Sequence, residues 1–137
     1  MAFDFLKDLA GAPLVVTNEF FMTNSEACTK GQALYFVSGR LTTAVAAGAI
    51  AVIAQETKAA GTDVKPQVAI VSPTQVWRVG YTGTPDAAFV VGQNAADLAS
   101  GGLLANAADV TGGPLAIIAK DTTTTKVDVI IKNRQLS

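Results

Sequence analysis

Apolar and polar positions alternate most clearly near the end of the chain. Leu115, Ile117 and Ala119 share one parity, and so do Val127, Val129 and Ile131, on either side of a polar turn rich in Thr. Residues two apart point to one face of a strand, so this pattern predicts a β-hairpin with an apolar inner face. The opposite parity is mixed. Asp128 and Lys132 suit water, whereas Ile118 and Ile130 do not. Two readings fit: a tightly packed small barrel with some apolar surface, or an outer face that meets another protein.

The same order of features occurs earlier. Gly31-Gln32 leads into an apolar strand at 33–37, a Ser38-Gly39 turn, a short strand, an Ala-rich stretch, and the apolar runs at 50–54 and 68–71. Gly92-Gln93 leads through Ser100-Gly101-Gly102 and another Ala-rich stretch to the final hairpin. This is a degenerate internal repeat, spanning about 31–71 and 92–131, with 72–91 as connector. Two copies are too few for a solenoid. They predict a mainly β fold, a small barrel of two similar halves at 25–137, each covering the other's apolar face.

Ahead of it, residues 1–24 read as an N-terminal arm. Phe3, Leu6 and Leu9 fall at helical spacing, with Asp4, Lys7 and Asp8 facing away, which predicts a short helix stopped by Gly11 and Pro13. So short a helix is unstable alone and must pack on its own barrel or on a neighbour. Phe20, Phe21 and Met22 are adjacent large apolar groups in a polar setting. Consecutive strand residues point to opposite faces, so one barrel does not readily bury all three. Either a second partner covers them or the aromatics fold back on the barrel. Residues 75–81 alternate well and carry the chain's one Trp, Trp77, read as a core plug or as an interface anchor.

Composition narrows the function. The chain has 137 residues, enough for one domain with a real core, and is 50% hydrophobic but only 15% charged. About 25% charged is usual for a soluble domain, so the chain has more apolar surface than its own core needs, and assembly is the natural outlet. The net charge is −1 with no basic run, so the clustered positive footprint of a nucleic-acid binder is missing. The N-terminus is charged where an apolar signal region would sit. The uncharged stretch 41–55 falls short of the roughly 18 to 20 apolar residues of a membrane helix. No secretion by that route and no membrane partner are expected.

The residues for common enzyme chemistry are sparse. There is no His, which removes the usual general base and zinc ligand, and Cys28 is the single Cys, read as a buried thiol. Asp97, Asp109, Asp121 and Asp128 sit in or beside turns, and no spacing singles out a catalytic pair. The glycines of 100–102 and 111–113 lack the Lys-Ser/Thr of a phosphate loop. The expectation is a protein that is not an enzyme, with no catalytic, cofactor or metal residues.

Several motifs in order resemble a known group: Ser38-Gly39-Arg40-Leu41, Ala51-Val52-Ile53-Ala54-Gln55-Glu56-Thr57, Val68-Ala69-Ile70-Val71-Ser72-Pro73, Val76-Trp77-Arg78-Val79-Gly80-Tyr81, and Gly112-Gly113-Pro114-Leu115-Ala116-Ile117. From about residue 31 onward the chain resembles the head decoration, or cement, proteins of tailed bacteriophages. Residues 1–24 are outside that likeness. The resemblance implies a β-barrel or β-tulip body, made in the host cytoplasm and placed on the outer capsid surface of the virion. It implies a homotrimer that bridges subunits of the major capsid protein. The residues expected to touch the capsid or a neighbouring copy are Phe3, Leu6, Phe20, Phe21, Met22, Ile118 and Ile130. The alternatives are a carbohydrate- or host-surface-binding module using Trp77, Tyr81 and Tyr35, and a small tail or connector protein.

Overall fold

Strands form where the sequence alternates, and also in places where it does not. The computed structural model describes residues 2–137. In chain order the strands are β1 (Asp4–Asp8), β2 (Val16–Thr17), β3 (Ala33–Val37), β4 (Arg40–Thr43), β5 (Val52–Ala54), β6 (Val68–Ile70), β7 (Gln75–Thr82), β8 (Asp97–Ala99), β9 (Leu104–Asn106), β10 (Leu115–Asp121) and β11 (Lys126–Ile131). They make a mainly β protein of two sheets. One runs β2-β6-β5-β3-β4; the other runs β10-β11-β7-β9-β8, with β1 added on β7.

The short N-terminal helix is not formed. Residues 4–8 are a strand, antiparallel to β7, with Phe5 opposite Trp77 and a register shift between Phe5 and Lys7. Met1 lies outside the described residues. The physical reason is tertiary. Helical propensity over so few residues is weak, while β7 offers an unfilled row of backbone groups and an aromatic partner for Phe5, whose ring meets Trp77 edge-on at 5.5 Å.

The hairpins follow from their turns. Ser38 and Gly39 have φ of 52° and 81°, the left-handed pair that a two-residue turn needs to match strand twist, and they join β3 to β4. Asp121 closes the last hairpin by accepting the Thr123 and Thr124 N–H groups at 2.9 and 3.3 Å. Hydrogen bonds from Thr124 and Thr123 hold its carboxyl below the usual carboxylate range.

The internal repeat extends further than the sequence suggests. In the first half β5 pairs with β6 and β3, and β3 with β4. In the second, β10 pairs with β11, bridges β8 through Ala96 and Leu115, and β8 pairs with β9. A leading strand precedes each set: β2 lies antiparallel to β6, and β7 antiparallel to β11. Each leader then turns to run parallel with the second strand of its hairpin, through Met22 and Leu41 in one half and Tyr81 and Ala105 in the other. The pairings therefore follow one plan in each half, within two sheets whose strand orders are open. β7, the longest strand, lies in the stretch read as connector.

Two cores result. The smaller holds Met22, Cys28, Leu34, Leu41, Val52 and Val68 inside the first half. The larger is centred on Trp77 and Phe89 and also takes Ile53, Ala69 and Val71. β5 is buried on both faces, Val52 toward one core and Ile53 toward the other, which is why residues 50–54 read as a continuous apolar run. The chain ends cross over. β1 belongs to the sheet of the second half, while the tail after β11 returns to the first. Ile50 exchanges backbone bonds with Asn133 and Gln135, each at 3.0 Å, and the Gln135 side chain bonds both the N–H and the C=O of Phe36.

Candidate contact surface

The outer face of the second sheet is built by register. Asp4 stands opposite Arg78, and Arg78 opposite Asp128. Same-face neighbours across strands interact directly, so these three form one charged row. Arg78 donates from Nε and Nη2 to the two carboxylate oxygens of Asp128 at 2.7 and 3.1 Å. That bond holds the guanidinium more strongly protonated than usual. The next row is apolar: Ile130 stands opposite Ala116 on β10, and both are half-buried. Val76, two residues before Arg78 on β7, stands opposite Lys7 and is fully buried. At the hairpin end a depression of about 250 Å³ is lined by Arg78, Lys120, Asp121, Thr124, Lys126 and Asp128.

Of the residues expected to make contacts, this face gathers Ile130, with Ile118 at its edge. Ile118 is 38% exposed and sits where the β10–β11 register slips. Beside it, Gly92 donates to the Ile117 carbonyl at 2.9 Å, which brings the exposed Val91 alongside. Leu6 is 41% exposed at the register shift of β1, at the far end of the sheet.

The other four lie elsewhere. Phe3 and Met22 are 2% and 1% exposed, so both are core residues and not contact residues. Phe3 is held down because its N–H bonds the Gly31 carbonyl at 2.9 Å. Met22 is absorbed by the smaller core, whereas Phe20 and Phe21 are half-buried. Phe20 meets Phe36 edge-on at 5.1 Å, and Phe21 lies under the cations of Arg40 and Lys65 at 5.0 and 4.6 Å. Simple strand alternation fails there because Met22 makes a single parallel bridge, after which the chain leaves the ladder. Arg40 fixes that departure by donating to the Met22 carbonyl and the Asn24 side chain and pairing with Asp63.

Trp77 is fully buried, which settles it as a core plug and removes it from any sugar-stacking platform. Tyr35 and Tyr81 are half-buried, and both pack against the larger core. Cys28 is buried as expected, and burial pushes its thiol pKa up.

One titratable pair escaped the sequence reading. Asp97 is 4% exposed, and its Oδ1 has no hydrogen-bond partner among the described residues. Burial, then the charge of Asp109 and a hydrogen bond to it, push its pKa up to about 6. The Asp97 N–H also bonds the Asp109 carbonyl at 3.0 Å. No sequence signal distinguished Asp97 from the other turn aspartates. Among the described residues no group of three or more His, Cys, Asp or Glu side chains could hold a metal ion. No helix there is long and apolar enough to cross a membrane. In comparisons with known proteins, the chain matches no family model, no curated protein and no solved structure.

Proposed function

We propose that the chain is a structural protein of a bacteriophage virion that decorates the outer capsid surface and bridges subunits of the major capsid protein. The observation that carries this reading is the outer face of the second sheet. There the apolar row of Ile130 and Ala116 runs beside the ionic row Asp4–Arg78–Asp128, with Ile118 exposed at the edge. An apolar strip flanked by fixed, paired charges suits contact with another folded surface. The resemblance in motif order and the two-half β body support the same reading.

The protein then acts by binding alone, without covalent chemistry, cofactor or nucleic acid. Each contact is small, but several contacts to neighbouring subunits raise the effective concentration of the next. A ligand that binds the assembled shell and not its separated parts stabilises the shell by mass action.

The test is co-sedimentation with purified empty expanded heads. The wild-type protein is expected to pellet with heads at high copy number. A variant carrying Ile118→Asp and Ile130→Asp is expected to stay in the supernatant while its circular dichroism is unchanged. Wild-type protein that ignores heads sinks the reading; a variant that still binds fully moves the contact off this face.

A further inference from the structure

One end of the second half carries only negative charge. Between Val79 and Ala119 the charged side chains are Asp86, Asp97 and Asp109, with no Lys or Arg among them. Asp97 opens β8 opposite Asn106 on β9, and its N–H bonds the Asp109 carbonyl at 3.0 Å. The carboxyl groups of Asp97 and Asp109 lie within hydrogen-bonding reach of each other. Asp97 is buried, and its Oδ1 finds no partner among the described residues. Asp109 is exposed, so the pair has one inner and one outer member.

The surrounding backbone holds this pair in place. Asp109 accepts the Thr111 N–H on Oδ1 at 3.1 Å, which orients its carboxylate. Gly113 donates to the Ala95 carbonyl at 2.9 Å and packs on the backbone of Ala96 and Asp97. The loop 109–113 is thus tied to the start of β8 at both of its ends. Nothing positive reaches the carboxylates from the other half. Leu98 donates to the Ala46 carbonyl, and Ala46 belongs to the uncharged stretch 41–55. Neither acid makes an ion pair among the described residues.

Two carboxylates in contact are stable together only with a proton or a cation between them. A buried carboxylate oxygen without a partner is itself costly. The donors here are oxygens alone, since the chain has no His and Cys28 lies in the smaller core. Such a set suits a hard cation and not a soft one. Two carboxylates do not make a closed cage, but calcium accepts irregular geometry and takes water for its remaining ligands. The exposed side of Asp109 leaves room for that water. We propose that Asp97 and Asp109 together bind a calcium ion, Asp97 through its unpartnered Oδ1 and Asp109 through the oxygen that Thr111 leaves free. So few charged ligands set the affinity at about 10⁻⁴–10⁻³ M. The site is independent of the capsid reading, because its test contains no heads.

The test is thermal unfolding of the chelator-treated full chain at pH 7, with calcium added to about ten times that range. The melting temperature of the wild type is expected to rise by about 3–6 °C. Sodium chloride at matched ionic strength is expected to give no such rise. Asp97→Asn and Asp109→Asn are each expected to abolish the rise, whereas Asp86→Asn keeps it. Magnesium, which demands a regular octahedron, is expected to do less than calcium. Isothermal titration of the wild type is expected to show one calcium per chain. A wild type indifferent to calcium, an equal rise in sodium chloride or magnesium, or a rise that survives in either Asp97→Asn or Asp109→Asn overturns the inference.

Discussion

Trp77 donates its indole N–H to Oε1 of Gln75, two residues back on the same strand, at 3.2 Å. The same oxygen accepts the Ser72 N–H at 3.0 Å, and the Gln75 amide donates to the Ile70 carbonyl at 3.1 Å. One buried side chain thus satisfies the indole and ties the link between the halves. Replacing Gln75 by Leu keeps the bulk but strands buried polar groups. It is expected to cost about 1–3 kcal/mol in urea unfolding. In the wild type, Trp77 emission is expected to be blue-shifted and little affected by acrylamide; strong quenching would mean that the indole is not buried.

Phe3 and Leu6 lie three residues apart and have opposite fates. Phe3→Ala empties a core position and is expected to cost about 3–5 kcal/mol. Leu6→Asp, on the exposed side, is expected to change stability by less than about 0.5 kcal/mol. Thermal unfolding of the two variants separates them. It follows that deleting the first eight residues damages the body of the protein and is a poor test of surface contacts.

Asp97 makes stability depend on pH in a defined direction. Its folded pKa of about 6 lies above the ordinary 3.8, so the folded state holds the proton more tightly. The stabilisation from this proton is complete below about pH 4 and is lost as pH rises through about 6. Asp8 and Asp121 have lowered values and act the other way. The difference between wild type and Asp97→Asn isolates the effect. The variant is expected to be the more stable at pH 7, by on the order of 1–2 kcal/mol, with the gap closing by pH 4. Denaturant midpoints across this range check it; parallel curves would show that Asp97 titrates normally.

Gly113 packs where a side chain has no room. A Cβ there would run into the backbone of Ala96 and Asp97, and Gly113 donates its N–H to the Ala95 carbonyl at 2.9 Å. Backbone cannot give way as a side-chain tip can. Gly113→Ala is expected to destabilise by about 1–3 kcal/mol, whereas Gly112→Ala meets no neighbouring atom and is limited by its φ of 75° alone. Melting temperatures of the two variants compare crowding with backbone strain.

Much of the β architecture is written locally. Leu115 to Ile131 alternates around a turn, and Ser38-Gly39 and Ser100-Gly101 mark equivalent corners, so hairpins and repeat are legible. The leaders are not. Residues 16–22 and 76–82 share little sequence, and only their partners, Val68 and Leu41 against Val129 and Ala105, reveal that they correspond. The segment Asp4–Asp8 is too short for periodicity to separate helix from strand, and the edge of β7 decides it. Of the contact candidates, Leu6 and Ile118 are exposed as the pattern suggests. Phe3 and Met22 are taken by cores that only the long-range pairings create.

The crossed ends bear on how the molecule is made. The first sheet is pinned by residues 133–135, and the second by residues 4–8. During synthesis the early half emerges with β2 to β6 ready to pair, yet its last hydrogen bonds wait for residues 133–135 to leave the ribosome. The amino-terminal strand in turn has no partner until β7 appears. Completion of the two halves is therefore joint, with non-local contacts setting the pace. A chain stalled or truncated near residue 132 holds every named strand and lacks the clasp between Ile50 and Gln135.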